Sequence, residues 1–235
     1  MNEGPPTLTA LPGSFGTTRE GLRTLACYVI APARKAIEGR IGLRPTGDGF
    51  ATPVLPDGTR IAVRGDELRR GDDASRITTL RAAAAQLGVT LSADPGVGHD
   101  LPPFDPTVAL DVDAVASFAL GAWYSFGQSI IERLATAGGG SRTWTETQLW
   151  PEHFDLATAV TLANGAQANV GFSAGDGYHT DPYVYVGPHD MSTISGDWWN
   201  APFGAVRGYE SLRPAIDASD AAAEFVEHGL GLLSD

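Results

Sequence analysis

Phe154-Asp155-Leu156-Ala157-Thr158-Ala159-Val160-Thr161-Leu162-Ala163-Asn164-Gly165-Ala166-Gln167-Ala168-Asn169-Val170-Gly171-Phe172 reads as a β-hairpin. Phe154, Leu156, Thr158, Val160 and Leu162 recur with the period of two that places them on one face of a strand. Asn164-Gly165 supplies residues that tolerate the positive φ of a tight turn, and the chain then returns through Ala166 to Phe172. Strand followed directly by strand argues for antiparallel pairing, not for the strand–helix alternation that builds parallel sheets.

Outward from this hairpin the same logic repeats. Phe50 to Leu55 and Thr59 to Val63 flank Pro56-Asp57-Gly58, whose Asp-Gly pair predicts a second hairpin. Arg40 to Arg44 alternates before it, Arg64-Gly65-Asp66-Glu67 turns the chain after it, and Leu68 starts another short strand. Pro182 to Val186 predicts a further strand. Helical spacing appears over Thr18 to Ala36, where Pro32 marks an end or a kink, and over Thr78 to Leu87, closed by Gly88. The longest helix runs from Val112 to Ala135 with apolar residues on most sides, and Asp220 to Leu233 closes the chain. The predicted fold class is α+β: a mainly antiparallel sheet, or two, packed against a long central helix and a C-terminal helix. Residues 1–16 read as a flexible arm and 17–235 as a single α+β domain, with Gly138-Gly139-Gly140 as the alternative break between halves 17–137 and 145–235.

With 235 residues, 43% of them hydrophobic and 19% charged, the chain can bury a sizeable core. A net charge of -12 speaks against a nucleic-acid partner, which would demand a basic patch. No apolar run is long enough for a membrane helix, and the first residues lack the basic and apolar pattern of a secretory signal, so the expected address is cytoplasmic, with no membrane partner. Cys27 is the one cysteine, so no intrachain disulfide forms; it sits in an apolar run and reads as a buried small residue.

The chemistry-bearing residues concentrate between Trp150 and Asp190. On a strand, His153 and Asp155 would share a face opposite Phe154, an arrangement that holds a metal or orients an imidazole, or is simply a polar pair. Gly175 to Pro182 is a polar loop carrying Asp176, His179 and Asp181; it matches neither the EF-hand nor the His-Glu-x-x-His spacing, and an Asx-rich turn is the plain reading of it. His153, Asp155, Asp176, His179 and Asp181 together form the candidate metal set, with a divalent metal as the cofactor. Trp123, Trp198 and Trp199 are the candidate lining of an apolar pocket, or core packing. Gly171-Phe172-Ser173-Ala174-Gly175 fits the letters of a nucleophile elbow but follows a hairpin strand and leads into a loop instead of a helix.

Gln148-Leu149-Trp150-Pro151-Glu152-His153-Phe154-Asp155-Leu156-Ala157, Gly175-Asp176, Asp181 to Val186 and Trp199 to Ala205 resemble an uncharacterised family of high-GC Gram-positive bacteria, a domain of unknown function. Ile30 to Arg34 and Gly39 to Pro45 share the likeness, which covers most of the chain and implies no activity, substrate or cofactor. The functional expectation is a metal-binding protein or metal-dependent hydrolase acting on a small molecule. The alternative is a noncatalytic small-molecule-binding or protein-interaction domain.

Overall fold

The computed structural model describes residues 8–137 and 142–234, so the glycine break and residues 1–7 of the expected arm lie outside the described residues. The fold is α+β, with two antiparallel sheets, a long helix and a C-terminal helix. The chain forms two compact units: Leu11–Ser125 with Gln148–Asp155, and Met1–Ala10 with Phe126–Thr147 and Leu156–Asp235. Their boundary falls inside the long helix instead of at the glycines, because each half of that helix packs with a different sheet.

The unit holding Leu11–Ser125 begins with α1, Phe15–Leu25, a π-helical turn over Ala26–Ile30, and α2, Ala31–Glu38. Pro32 therefore falls just after the π-helical turn, in which the Ala31 amide donates to the Ala26 carbonyl, and Gly39 ends the helix in the left-handed region at φ 69°. A five-stranded meander follows: β1, Arg44–Thr46; β2, Gly49–Ala51; β3, Ile61–Arg64; β4, Glu67–Arg70; and β5, Asp73–Arg76. The Asp57-Gly58 turn forms as read, the Asp57 carboxylate accepting the Thr59 amide at 2.9 Å. α3, Leu80–Leu87, is capped by the Thr79 hydroxyl and closed by left-handed Gly88. The long helix, α4, spans Ala114–Ala137; its first half crosses this unit so closely that a Cβ on Gly121 would lie 2.2 Å from the Gly49 nitrogen. Val115 and Phe118 on that half are exposed, so its apolar surface is less fully covered than its composition predicts.

The other unit holds a sheet in the order β10-β9-β8-β7-β6: Ala205–Gly208, Tyr183–Pro188, Gln167–Ser173, Asp155–Leu162 and Arg142–Trp144, and the short helix α5, Tyr209–Leu212, follows β10. The Asn164-Gly165 turn forms as predicted, with Asn164 accepting the Ala166 amide at 3.0 Å and Gly165 at φ 86°. Phe172 packs edge-on against Phe126 of α4, their centroids 6.0 Å apart, and fills the space left by Gly127. α6, Ala218–Leu232, is capped by Asp217 and lays Gly229 against Trp198 and Val186.

Gly121 separates two opposing effects. Replacing a helical glycine by alanine gains about 1 kcal/mol of helix propensity, whereas wedging a methyl against backbone that cannot step aside costs about 1–3 kcal/mol or more. Gly121→Ala is expected to lower stability in urea denaturation. Gly231→Ala in α6, where a Cβ meets nothing within 4 Å, is expected to raise it by up to about 1 kcal/mol.

Candidate functional site

The segment Trp150 to Asp155 is built as a clamped turn and not as a strand entry. Residues 151–154 form the turn, and Phe154 adopts φ 52°, a conformation a bulky residue accepts only when its surroundings impose it. The surroundings are side-chain donors aimed at its carbonyls. The Cys27 thiol donates to the Pro151 carbonyl at 3.1 Å, Arg23 donates to the Glu152 carbonyl at 2.7 and 3.0 Å, and the Tyr124 hydroxyl donates to the Phe154 carbonyl at 2.6 Å. Phe154 is itself edge-on to Phe50 and Tyr124. The predicted shared face of His153 and Asp155 is thus corrected: His153 is exposed in the turn, while Asp155, the first strand residue, is 7% exposed.

Burial also disposes of the nucleophile roles. It pushes the Cys27 thiol up to about 12, with Arg23 pulling down and Glu152 pushing up more weakly. The Tyr124 hydroxyl is raised well above its ordinary value, first by burial and then by the Asp155 charge, so it stays protonated and donates. Ser173 is buried, and its hydroxyl takes the Gly175 amide at 3.1 Å, which is not the exposed serine of a nucleophile elbow.

The loop 175–182 is the Asx-rich turn. One Asp176 oxygen accepts the amides of Tyr178 and His179 at 2.8 and 3.1 Å, and the other accepts the Tyr183 hydroxyl at 2.6 Å. The His179 Nδ1 accepts the Asp181 amide at 3.2 Å. His153 and Asp155 belong to one unit, and Asp176, His179 and Asp181 to the other. Among the described residues no three His, Cys, Asp or Glu side chains are grouped to hold a metal ion. Trp123 likewise belongs to the first unit and Trp198 and Trp199 to the second, where Trp198 stacks on Phe225 of α6 with centroids 5.2 Å apart.

A different site emerges on the five-stranded sheet. Along β3, Ile61 and Val63 are buried while Ala62 is half-buried and Arg64 exposed, so Ala62 and Arg64 share the outer face, together with Arg60 just before the strand. Ala62 pairs directly with Arg69 of β4. Arg60 and Arg64 are therefore the two diagonal neighbours of Arg69, at roughly 7–8 Å between Cα atoms. These three arginines border a cavity of about 460 Å³ over Ala62 and Gly71, with Thr46 of β1 also lining it. Arg64 is paired with Asp48 at 2.7 Å, whereas Arg69 reaches Glu67 only at 4.0 Å. The Thr46 hydroxyl oxygen is buried without a hydrogen-bond partner.

Sequence reasoning passed over this site, although a signal exists. Seven of the sixteen basic residues lie between Arg40 and Arg76 against six carboxylates, in a chain of net charge -12. The alternation Arg60-Ala62-Arg64 then predicts a common face. Two other cavities, of about 510 and 260 Å³, hold more carboxylates, with Arg76 also bordering the first; Asp113 in the first caps the Ala116 amide and Asp105 in the second holds the Thr107 amide and hydroxyl. No helix among the described residues is long and apolar enough to cross a membrane. Comparison with protein-family models, with curated proteins and with solved structures finds no match.

The folded state disfavours the Cys27 thiolate, so the linked stability is level below about pH 9 and falls as pH climbs from there toward about 12. A thiol reagent at pH 8 is expected to leave Cys27 unmodified in the native protein and to label it fully in denaturant, read by mass spectrometry.

Proposed function

We propose that this protein is a noncatalytic binding protein for a small anionic molecule. The observation that carries the reading is the set Arg60, Arg64 and Arg69 disposed diagonally around one cavity, with a close carboxylate partner for Arg64 alone among the three. At 7–8 Å each like-charge pair costs about 0.5 kcal/mol in water-like surroundings and about 2 kcal/mol at an effective dielectric of 20. A chain rich in carboxylates has the means to neutralise such a cluster locally and does so only in part. An anion seated between the guanidinium groups removes the repulsion and gains charge-assisted hydrogen bonds. The cavity size, about 460 Å³, suits a small molecule. The overall negative charge repels extended polyanions such as nucleic acids while leaving a local site for a compact one.

A metal-binding reading of His153, Asp155, Asp176, His179 and Asp181 has less support, because Asp176 already engages one oxygen within its own loop and the other with the Tyr183 hydroxyl.

Calorimetric titration with a panel of small carboxylates, sulfonates and phosphates is the test. At least one is expected to bind, more weakly as salt is raised. Arg69→Ala is expected to weaken that binding by roughly tenfold to a hundredfold, the loss of one charge-assisted contact, without shifting the unliganded melting temperature by more than a few degrees. A panel with no binder, or an Arg69→Ala variant that binds as tightly as the parent, overturns the reading.

A further inference from the structure

We infer that the anion bound at Arg60 and Arg69 is the phosphoryl group of a small phosphate ester whose neutral part lies along the sheet toward Thr46. The inference rests on the anion-binding reading and narrows it to a ligand class.

Donor geometry selects the group. A guanidinium presents a planar fork of N–H donors that one carboxylate, with two oxygens, satisfies by itself. Arg60 and Arg69 are diagonal neighbours across adjacent strand positions, so two forks border the cavity over Ala62. The lone-pair sites of a carboxylate lie in one plane, so two separate forks are matched better by acceptor oxygens disposed in three dimensions. A tetrahedral phosphoryl group has them; a planar carboxylate does not. Arg64, held by Asp48, borders the same cavity at 2.7 Å from that carboxylate and can share its remaining N–H groups without leaving its partner.

The direction of the rest of the ligand follows from the strand order. Arg69 lies on β4 and Thr46 on β1, with β3 and β2 between them, so the cavity runs across the strands for about 14 Å at about 4.8 Å per strand step. Arg64 pairs with Gly49, and Gly49 pairs with Thr46, which places Thr46 on the same row at the far end. That end carries no arginine among the residues that line the cavity, and its polar groups are the unpartnered Thr46 hydroxyl and the Asp48 carboxylate that holds Arg64. A hydroxyl both donates and accepts, so it matches a sugar-like or polyol hydroxyl and not a second anion. Small side chains at Ala62 and Gly71 let the ligand body approach the sheet.

The test compares inorganic phosphate, glycerol 3-phosphate and succinate by calorimetric titration of the whole chain, with vesicles of phosphatidylcholine and phosphatidic acid as a fourth arm. Glycerol 3-phosphate is expected to bind at least tenfold more tightly than succinate. Its affinity is expected to rise from pH 5 to 7 as the ester loses its second proton near pH 6, a change that a fully ionised sulfate ester does not show. Arg60→Ala is expected to weaken phosphate and glycerol 3-phosphate alike. Thr46→Val is expected to weaken glycerol 3-phosphate several-fold and to leave inorganic phosphate unchanged, which separates ligand contact from a folding defect. Succinate binding as tightly as the phosphates overturns the phosphoryl inference and leaves the anion-binding reading standing. Binding of none of the three small anions overturns both. Capture by the vesicles without binding of glycerol 3-phosphate overturns the small-ester inference in favour of a lipid headgroup.

Discussion

A turn whose carbonyls point into the protein must find donors there, and the turn at Pro151 to Phe154 finds them in side chains. Each buried carbonyl left without a donor would cost about 1–3 kcal/mol, so Cys27, Arg23 and Tyr124 together decide whether this turn exists. The strained φ of Phe154 is tolerated because its ring is gripped edge-on by Phe50 and Tyr124. The position of the turn then determines where the strand Asp155–Leu162 begins, which residues it buries and why His153 is left outside. A thiol, a phenol and an arginine are the fasteners of this turn.

Charge is distributed by a similar economy. Most arginines whose partners are known sit beside a carboxylate close in sequence or across a strand: Arg34 with Glu38, Arg70 with Asp57, Arg76 with Asp66, Arg213 with Glu210. Apart from the buried Arg34, such pairs are largely exposed and add little stability, about 0–1 kcal/mol each, but they keep like charges from accumulating. Around Arg69 that pattern relaxes, since its acidic neighbour stands at 4.0 Å.

The two hairpin turns were legible because their information is local. Asp57-Gly58 and Asn164-Gly165 carry the residue types that positive φ demands, and the apolar residues beside them alternate over enough positions to set the register. The strands Asp73–Arg76, Arg142–Trp144 and Ala205–Gly208 were not legible. The first is exposed at every residue, and all three are short and gain their order from the neighbour they pair with. The Asx character of the loop at Asp176 was readable from its composition, whereas the commitment of both Asp176 oxygens became visible only with Tyr183 beside it. The arginine site was half legible: the charge segregation and the Arg60-Ala62-Arg64 alternation are in the sequence, but Arg69 joins them only through the pairing with Ala62.

By itself, then, the sequence determined the α+β class, the antiparallel hairpins, the long helix and the burial of Cys27, since each follows from periodicity, turn chemistry or an apolar neighbourhood within a few residues. Only the tertiary structure decided which polar residues meet. His153 and Asp155 are two positions apart in the chain, yet a single left-handed residue between them breaks the alternation that would have put them on one face. Arg60 and Arg69 are nine positions apart and border one cavity, because strand pairing converts distance along the chain into diagonal neighbourhood across a sheet.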